Sequence, residues 1–220
     1  MLFSAFPSGK LECRHAVKYP APVIQRTPFR HFGTDADVTR LAKLLRDAFT
    51  AADFHPSGPL SILNLACGRA DESGALAEAL RPATIGFYLG IDLRPETIAE
   101  AQKRWHLPDG EISFLTGDAS ATHRMRELPP MDLVFIRHQN YWNDPKTWDR
   151  LLENALSSLK PGGLLACTSY FDVEHDLMMA ALKTRGAIVK VNVRHASSRA
   201  LPDAPGKSVD RHLVLFSLPA

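Results

Sequence analysis

Acidic side chains stand where two short apolar runs of the chain end. Asp92 closes one run, 24 residues after Gly68, and Asp118 closes the next. A carboxylate in such a place can accept hydrogen bonds from both hydroxyls of a ribose, and each well-aligned charge-assisted bond contributes roughly 1.5–3 kcal/mol. Asp118 could accept a hydrogen bond from an exocyclic amine such as that of adenine. Each aspartate could instead cap the helix that follows it, and for Asp118 this explanation is equally good.

A loop of small residues, Ala66-Cys67-Gly68-Arg69-Ala70, precedes these aspartates. It separates an apolar run from an acidic, helix-starting stretch, and this order is typical of a loop that holds a nucleotide-type ligand. Ala66 and Ala70 stand where glycines are expected, and alanine is disfavoured wherever the backbone needs a positive φ. The loop therefore has three interpretations: a working cofactor loop, a degenerate one, or a simple strand-to-helix turn.

A nicotinamide-dinucleotide loop fits this segment poorly. The G-x-G-x-x-G pattern that such a loop needs is matched at Gly68 alone. Asp71 and Glu72 would also place negative charge at the helix N-terminus, where a pyrophosphate needs the positive end of the helix dipole. The segment therefore argues against a dinucleotide-dependent dehydrogenase.

A further group of polar and aromatic residues follows the apolar run 131–136. His138 is the best candidate for a general base, because its unperturbed pKa lies near neutrality, although it could equally bond a backbone group. Arg137 could bind a substrate carboxylate or phosphate, or anchor loops through a salt bridge. Tyr141 and Trp142 could stack on a flat substrate or cover a cofactor, or they could pack in the core.

The candidate residues can form one site only if strands and helices bring the ends of different strands together. The spacing of apolar residues along the chain predicts such strands and helices. A helix begins at Asp35, and from residue 61 onward strands and helices alternate. The predicted strands are 61–65, 86–91, 111–115, 131–136, 163–169, 187–193 and 212–216. The predicted helices between them are 72–80, 95–105, 119–128, 145–160 and 173–184, with Asp144 as an N-cap and a sharp turn at 161–163.

This alternation predicts an α/β fold, namely a Rossmann-like, mostly parallel seven-stranded sheet with helices on both faces and an antiparallel last strand. Ligands bind such a sheet at the carboxyl ends of its strands. Residues 59–220 would form the catalytic domain, and residues 1–58 an arm and a helix. Within the arm, Phe29, His31 and Phe32 could line a lid over the substrate or pack against the sheet edge.

The composition argues against several classes of protein. No apolar stretch is long enough to span a bilayer, and the start, MLFSAFPSGKLECRH, shows no secretory signal. The three cysteines lie far apart without metal-ligand spacing, which favours a cytoplasmic protein that holds no metal. The formal net charge is +2, with basic ends and an acidic centre. Such ends could steer an anionic substrate or RNA, but solvated surface charge explains them better.

Five segments, taken in order, resemble the class I S-adenosylmethionine-dependent methyltransferases. They are ILNLACGRA at 62–70, YLGIDLRPETIAEA at 88–101, TGDA at 116–119, MDLVFIRH at 131–138 and LKPGGLL at 159–165. The resemblance covers roughly residues 60–217 and implies S-adenosylmethionine as the cofactor. Because this sulfonium carries no phosphate, Asp71 and Glu72 do not oppose it.

The resemblance also implies which residues hold the cofactor. Asp92 would hold the ribose, Asp118 would recognise adenine, and the loop backbone would approach the methionine part. Asn64 stands where the family usually has an acidic residue, and it can still hydrogen-bond without a full charge. The full implied set is Asn64, Ala66, Cys67, Gly68, Asp92, Leu93, Asp118, Ala119 and Arg137.

The sequence therefore predicts transfer of a methyl group from S-adenosylmethionine, with His138, Arg137 and Tyr141 as the catalytic candidates. A small-molecule acceptor is favoured because the net charge is small, while RNA and protein acceptors stay open. One alternative is a methyltransferase-fold protein that has lost catalysis and serves in binding or assembly, motivated by the two alanines and Asn64. Another is an aminopropyltransferase-like enzyme, but an acidic cluster after the fourth strand is missing.

Overall fold

The computed structural model describes residues 35–106, 110–125 and 128–219. The predicted arm, including Phe29, His31 and Phe32, lies outside the described residues, so its role as a lid stays a prediction, as does the domain boundary at residue 58. None of the helices within the described ranges is both long enough and apolar enough to cross a membrane.

Helices and strands alternate along the described chain. The helices are α1 (Asp35–Ala51), α2 (Ser73–Ala79), α3 (Pro95–Arg104), α4 (Pro145–Ser157) and α5 (Asp172–Thr184). The strands are β1 (Pro59–Leu65), β2 (Thr84–Asp92), β3 (Glu111–Thr116), β4 (Met131–Ile136), β5 (Leu159–Ser169), β6 (Ile188–Arg194) and β7 (His212–Ser217). A 3-10 helix, Ala119–Arg124, follows β3.

Seven strands of the described chain form one sheet in the order β3-β2-β1-β4-β5-β7-β6. The neighbours from β3 to β5 run parallel, and β7 runs antiparallel to both β5 and β6. The predicted Rossmann-like sheet with an antiparallel last strand is confirmed. The strand order reverses between β1 and β4, and such a reversal opens a crevice at the carboxyl ends of the strands.

The sheet lies between two layers of helices because its strands bury side chains on both faces. On β1, Leu60 and Ile62 join the apolar cluster that includes residues of α1, α2 and α3. Leu63 and Leu65 join the cluster that includes residues of α4 and α5. Successive side chains of a strand point to opposite faces, so this strand is buried from both sides. The predicted helices on both faces are confirmed.

The start of β5 differs from the prediction. Helix α4 ends at Ser157 rather than residue 160, and β5 begins at Leu159, so the Pro161-Gly162-Gly163 segment lies inside the strand. A Cβ at Gly163 would lie 2.7 Å from the carbonyl oxygen of Met131, so no side chain fits there. The segment is an irregularity in the β4–β5 ladder, where the register shifts, rather than a turn before it.

Candidate active site

The carboxyl ends of β1, β2 and β4 lie side by side at one edge of the sheet. Leu65 of β1 pairs with Ile91 of β2 and with Ile136 of β4. Asp92 is the last residue of β2, and Arg137 and His138 follow β4 directly. The polar residues after these strands therefore start from neighbouring positions, and this edge is the candidate active site.

The loop after β1 adopts a left-handed backbone at three positions. The φ angle is +54° at Ala66, +54° at Gly68 and +53° at Ala70. This region costs an L-residue with a Cβ roughly 1–2 kcal/mol. The backbone N–H of Cys67 donates to the carbonyl of Ile91 at 3.0 Å, which anchors the loop on β2. The two alanines thus preserve the tight turn but occupy conformations that suit glycine.

Cys67, within this loop, packs its side chain against β2. Its side chain is buried, and a Cβ at the neighbouring Gly90 would lie 3.0 Å from its Sγ. Burial raises the pKa of the Cys67 thiol well above its ordinary value, and the charges of Glu72 and Asp92 raise it further. The thiol therefore stays protonated at neutral pH, and a packing role explains it better than nucleophilic chemistry.

Asp92 lies beside the loop, with its carboxylate hydrogen-bonded on both oxygens. The backbone N–H of Gly68 donates to Oδ2 at 2.8 Å, and the backbone N–H of Arg94 donates to Oδ1 at 3.0 Å. Burial opposes ionisation of Asp92, but the hydrogen bonds and the charge of Arg94 outweigh it and hold the pKa below its usual value. Leu93, between them in the chain, is 69% exposed. An ionised carboxylate is thus fixed where the ribose is expected.

Asp118 follows β3 and caps the short helix after it. Its Oδ1 accepts from the backbone N–H of Ser120 at 2.8 Å. The helix predicted over 119–128 is a 3-10 helix that ends at Arg124. Ala119 is buried beside the cap, and the N–H of Gly117 donates to the carbonyl of Asp92 at 2.9 Å, which holds this turn against the end of β2. The capping explanation for Asp118 holds, and its role toward adenine stays a prediction.

Asn64 belongs to a buried polar cluster on the α2 side of the sheet. Its Nδ2 donates to Oε1 of Glu72 and to the hydroxyl of Tyr88, the latter at 2.8 Å. The Tyr88 hydroxyl also lies 2.7 Å from Oγ of Ser73. Burial raises the pKa of Glu72, although Arg137 and Asn64 counteract it. Asn64 Oδ1 is buried without a hydrogen-bond partner among the described atoms, so one polar position remains open here.

Arg137 is held in a buried ion pair with Asp210, which precedes β7. Nε of Arg137 lies 3.0 Å from Oδ1 of Asp210, and Nη2 lies 2.7 Å from Oδ2. Nη1 lies 3.8 Å from Oε2 of Glu72. Burial opposes both charges of the Arg137–Asp210 pair, but their mutual attraction raises the pKa of Arg137 and lowers that of Asp210. Of the two roles considered for Arg137, the structure contains the salt bridge.

His138 lies in the same cluster. Its Nε2 is 2.9 Å from Oδ1 of Asp210, and its backbone N–H donates to Oγ1 of Thr168 at 3.0 Å. One face of the ring stacks on Tyr170 with the centroids 3.7 Å apart. Burial lowers the pKa of His138, and the opposing effect of Asp210 does not fully offset it. A neutral imidazole, which is the form a general base needs, is therefore favoured at neutral pH.

The aromatic residues of the β4–α4 loop lie in different surroundings. The Tyr141 hydroxyl donates to Oδ1 of Asp149 on α4 at 2.8 Å, so its polar end is bound to a helix. Trp142 is 42% exposed and lies tilted against Phe171, with centroids 4.9 Å apart. The backbone N–H of Tyr141 donates to Oε1 of the buried Gln139, which fixes the loop. Trp142 is therefore more open to solvent than a core residue.

The acidic residues after β5 lie at the start of α5. Glu174 accepts from the backbone N–H groups of Tyr170 and Phe171 at 2.9 and 3.2 Å, which caps the helix. His175 points instead to Asn192 of β6. Within 35–106, 110–125 and 128–219, no three His, Cys, Asp or Glu side chains are grouped so that they could hold a metal ion.

Three residues of this edge were not predicted as site residues: Glu72, Arg94 and Asp210. Asp210 meets His138 across 72 positions of sequence, and no spacing rule links them. Glu72 is visible in the sequence as a helix-starting acid, but its burial beside Arg137 depends on the packing of α2. Arg94 stands two positions after Asp92, a spacing that could have suggested a local ion pair.

The chain matches a protein family over the segments that build this edge. Residues 62–163 match the family model described as a methyltransferase domain. The match covers a little under half of the chain. The matched residues include β1, the loop after it, Asp92, Asp118 and the end of β4, which are the segments that carried the resemblance. The resemblance to the class I methyltransferases is therefore confirmed.

A curated relative is similar to about half of this chain. Over 117 residues the chain is 33% identical to the phthiotriol/phenolphthiotriol dimycocerosates methyltransferase of Mycobacterium leprae (strain TN). The match covers 53% of this chain and 40% of that relative. It thus takes in less than half of the relative's length.

Solved structures share the methyltransferase fold. An S-adenosylmethionine-dependent methyltransferase from Clostridium acetobutylicum ATCC 824 superposes with a TM-score of 0.63 at 13% identity, covering 84% of this chain and 94% of that one. Magnesium protoporphyrin IX methyltransferase from Synechocystis PCC 6803, solved with bound SAM, gives a TM-score of 0.57 at 15% identity, with 84% and 81% covered. At these identities the similarity is one of fold.

Proposed function

We propose that this methyltransferase domain binds S-adenosylmethionine and transfers its methyl group to an acceptor. The observation that carries the proposal is the Asp92 carboxylate, held ionised at the end of β2 and hydrogen-bonded to the backbone N–H of Gly68 in the preceding loop. The methyltransferase family match over 62–163 and the fold shared with a SAM-bound structure support this cofactor.

The residues at the sheet edge fit the proposed cofactor in chemistry as well as in position. Asp92 would accept from the ribose hydroxyls, with Leu93 beside it, and Asp118 and Ala119 would meet adenine. The backbone of Ala66, Cys67 and Gly68 would line the methionine part. The unpartnered Oδ1 of Asn64 offers a buried acceptor near that loop. The guanidinium of Arg137 is already paired with Asp210 and Glu72. Arg137 would therefore contribute to the cofactor site by holding these two carboxylates in place.

Catalysis would depend mainly on alignment, because a sulfonium cofactor supplies a methyl group that is already activated. Where the methyl acceptor carries a proton on its nucleophilic atom, His138 would take up that proton. Burial lowers the pKa of His138 and so keeps its imidazole neutral. Asp210 would orient that ring by accepting a hydrogen bond from Nε2–H at Oδ1, which leaves Nδ1 as the nitrogen that takes up the proton. Tyr141, whose hydroxyl is bound to Asp149, would contribute to the pocket through its position in the loop rather than through its proton.

A small molecule is the acceptor class we favour, in a protein of the cytoplasm. Trp142, with 42% of its surface exposed, lies against Phe171, and His138 stacks on Tyr170. These contacts join the loops after β4 and β5 and present aromatic surface at the edge where the acceptor would lie. The mycobacterial relative is named for phthiotriol and phenolphthiotriol dimycocerosates, so compounds of that kind belong among the first acceptors to test.

A binding or assembly role without catalysis is the second candidate. It is favoured by the strained Ala66 and Ala70 and by Asn64 in place of an acid. Both functions allow cofactor binding, so turnover separates them.

The test is release of S-adenosylhomocysteine with panels of phenols, amines, carboxylic acids, lipids and RNA, with Asp92→Asn as the matched variant. We expect one class to give turnover that the variant loses. Binding of the cofactor without turnover on any panel would favour the second candidate.

A further inference from the structure

The side chain of Arg94 covers the two groups that are proposed to meet the cofactor. Its Nε donates to Oδ1 of Asp92 at 2.9 Å, and its Nη2 lies 3.4 Å from Oδ2. A Cβ built on Gly68 would lie 3.1 Å from the same Nη2, so the guanidinium lies directly against the loop. One cation therefore covers both the Asp92 carboxylate and the backbone of Gly68.

These contacts occupy the hydrogen-bonding capacity of Asp92. Oδ1 accepts from the backbone N–H and the Nε of Arg94, and Oδ2 accepts from the N–H of Gly68 and from Nη2 of Arg94. A carboxylate offers about four lone-pair sites. With all four engaged, the two hydroxyls of a ribose can bond Asp92 only where the Arg94 side chain has left.

We propose that the side chain of Arg94 competes with the ribose of S-adenosylmethionine for Asp92 and moves aside when the cofactor binds. The inference rests on the proposed function, because it concerns the same cofactor site. Arg94 thereby sets the affinity for the cofactor without contributing to the chemistry of methyl transfer.

The contacts of Arg94 allow such a movement without loss of the site. The backbone N–H of Arg94 and that of Gly68 hold Asp92 independently of the guanidinium. The side chain is 42% exposed, whereas that of Asp92 is 6% exposed, so the cation can swing into solvent while the carboxylate stays in place. The hydrogen bond to Asp92 raises the pKa of Arg94 most, and the charge of Glu96, in the first turn of α3, raises it further.

The experiment is calorimetric titration of the wild-type protein, Arg94→Ala and Arg94→Lys with S-adenosylmethionine and S-adenosylhomocysteine. Arg46→Ala is the matched control, because Arg46 is similarly exposed and pairs with Glu78 near the far end of α2. Thermal unfolding of each variant checks that it is folded.

We expect Arg94→Ala to lower the Kd for both ligands by about two- to fivefold, the range set by a partly exposed ion pair. Arg94→Lys, which keeps the charge but loses the planar fork, should give a smaller decrease, and Arg46→Ala should match the wild type. An unchanged or higher Kd in Arg94→Ala would overturn the inference and leave the proposed function standing. Failure of the folded wild-type protein to bind either ligand would instead overturn the proposed function, and this inference with it.

Discussion

At the scale of single residues, the loop after β1 raises the question of how alanine can replace glycine. Ala66 and Ala70 have the same left-handed φ, but their surroundings differ. Ala70 is 0% exposed within the apolar core, whereas Ala66 is half-buried. The methyl group of Ala70 therefore contributes packing that partly offsets its strain, and that of Ala66 contributes less.

Replacement of Ala66 by glycine should stabilise the protein. Relief of the left-handed strain is worth roughly 1–2 kcal/mol, and the greater unfolded-state entropy of glycine removes roughly 0.5–1 kcal/mol of this gain. We expect Ala66→Gly to raise the free energy of unfolding by about 0.5–1 kcal/mol in urea denaturation. Ala70→Gly is the matched control, and it should give no gain, because it also loses a buried methyl worth about 0.8 kcal/mol. A destabilised Ala66→Gly variant would contradict the strain argument.

Several residues of the candidate site could be identified from the sequence alone. Gly68, Asp92, Asp118 and His138 lie at the ends of strands or within three residues after them, so their places at the edge could be predicted from chain order alone. The sequence could not give the direction of a side chain. The hydroxyl of Tyr141 turns to Asp149, which depends on how α4 packs.

At the scale of elements, helix α5 contains two buried neighbours that titrate in opposite senses. Burial raises the pKa of Glu174 to about 7. Burial, followed by the stacked His212, lowers the pKa of His175 to about 4. Both groups are therefore held neutral in the folded protein between about pH 4.5 and 6.5, where the unfolded chain carries both charges.

These shifts predict opposite pH dependences of stability. The unfolded chain binds a proton at His175 that the folded chain lacks, so this residue makes the free energy of unfolding fall as the pH drops from about 6.5 to 4. The folded chain holds a proton at Glu174 that the unfolded chain lacks. Glu174 therefore makes the free energy of unfolding fall as the pH rises from about 4.5 to 7. In the wild-type protein the two slopes oppose each other.

Single variants should expose each slope in denaturation between pH 4.5 and 6.5. Relative to the wild-type protein, Glu174→Gln should lose stability more steeply as the pH falls, because the His175 slope is no longer opposed by that of Glu174. Relative to the wild-type protein, His175→Gln should lose stability more steeply as the pH rises, because the Glu174 slope is no longer opposed by that of His175. Each variant serves as the control for the other, and parallel pH profiles in the two would contradict this account of α5.

At the scale of the whole molecule, the Arg137–Asp210 pair joins the end of β4 to the segment before β7. Oδ1 of Asp210 also accepts from Oγ1 of Thr168 on β5, so three strands meet at one buried carboxylate. The parallel part of the sheet and its antiparallel end are thereby connected at the candidate site. The pair also places His138, which ties the shape of the site to the last strand of the fold.

Loss of the Asp210 charge should therefore affect stability strongly. Asp210→Asn leaves the buried Arg137 without its main partner, and removal of one member of a buried pair costs about 3–5 kcal/mol. Asp203→Asn is the matched control in the same connection, because Asp203 is 45% exposed and pairs with Lys207. We expect the control to lose about 1 kcal/mol or less in denaturation. Equal effects of the two variants would contradict the role of the buried pair.

Much of the whole-molecule arrangement could be predicted from the sequence, because apolar periodicity defines elements and their alternation defines a parallel sheet. The predicted strands, the helices on both faces and the antiparallel last strand are all present. Asp210 could not be linked to His138, because their contact depends on the sheet order β4-β5-β7. The irregular start of β5 depends likewise on its packing against β4, where a Cβ at Gly163 would lie 2.7 Å from the carbonyl oxygen of Met131.

The central claim is that the edge formed by β1, β2 and β4 binds S-adenosylmethionine through Asp92. Calorimetric titration of the wild-type protein, Asp92→Asn and Asp132→Asn tests it most directly. Asp132 is the matched control: it lies at the start of β4, at the opposite edge, and accepts from the N–H of Ser61 at 2.7 Å and from Lys160 at 2.8 Å.

We predict a Kd in the micromolar range, which is a binding free energy of about −8 kcal/mol, for the wild-type protein and for Asp132→Asn. For Asp92→Asn we predict an affinity at least about tenfold lower. Equal affinity in all three proteins, or no binding to folded wild-type protein, would contradict the account.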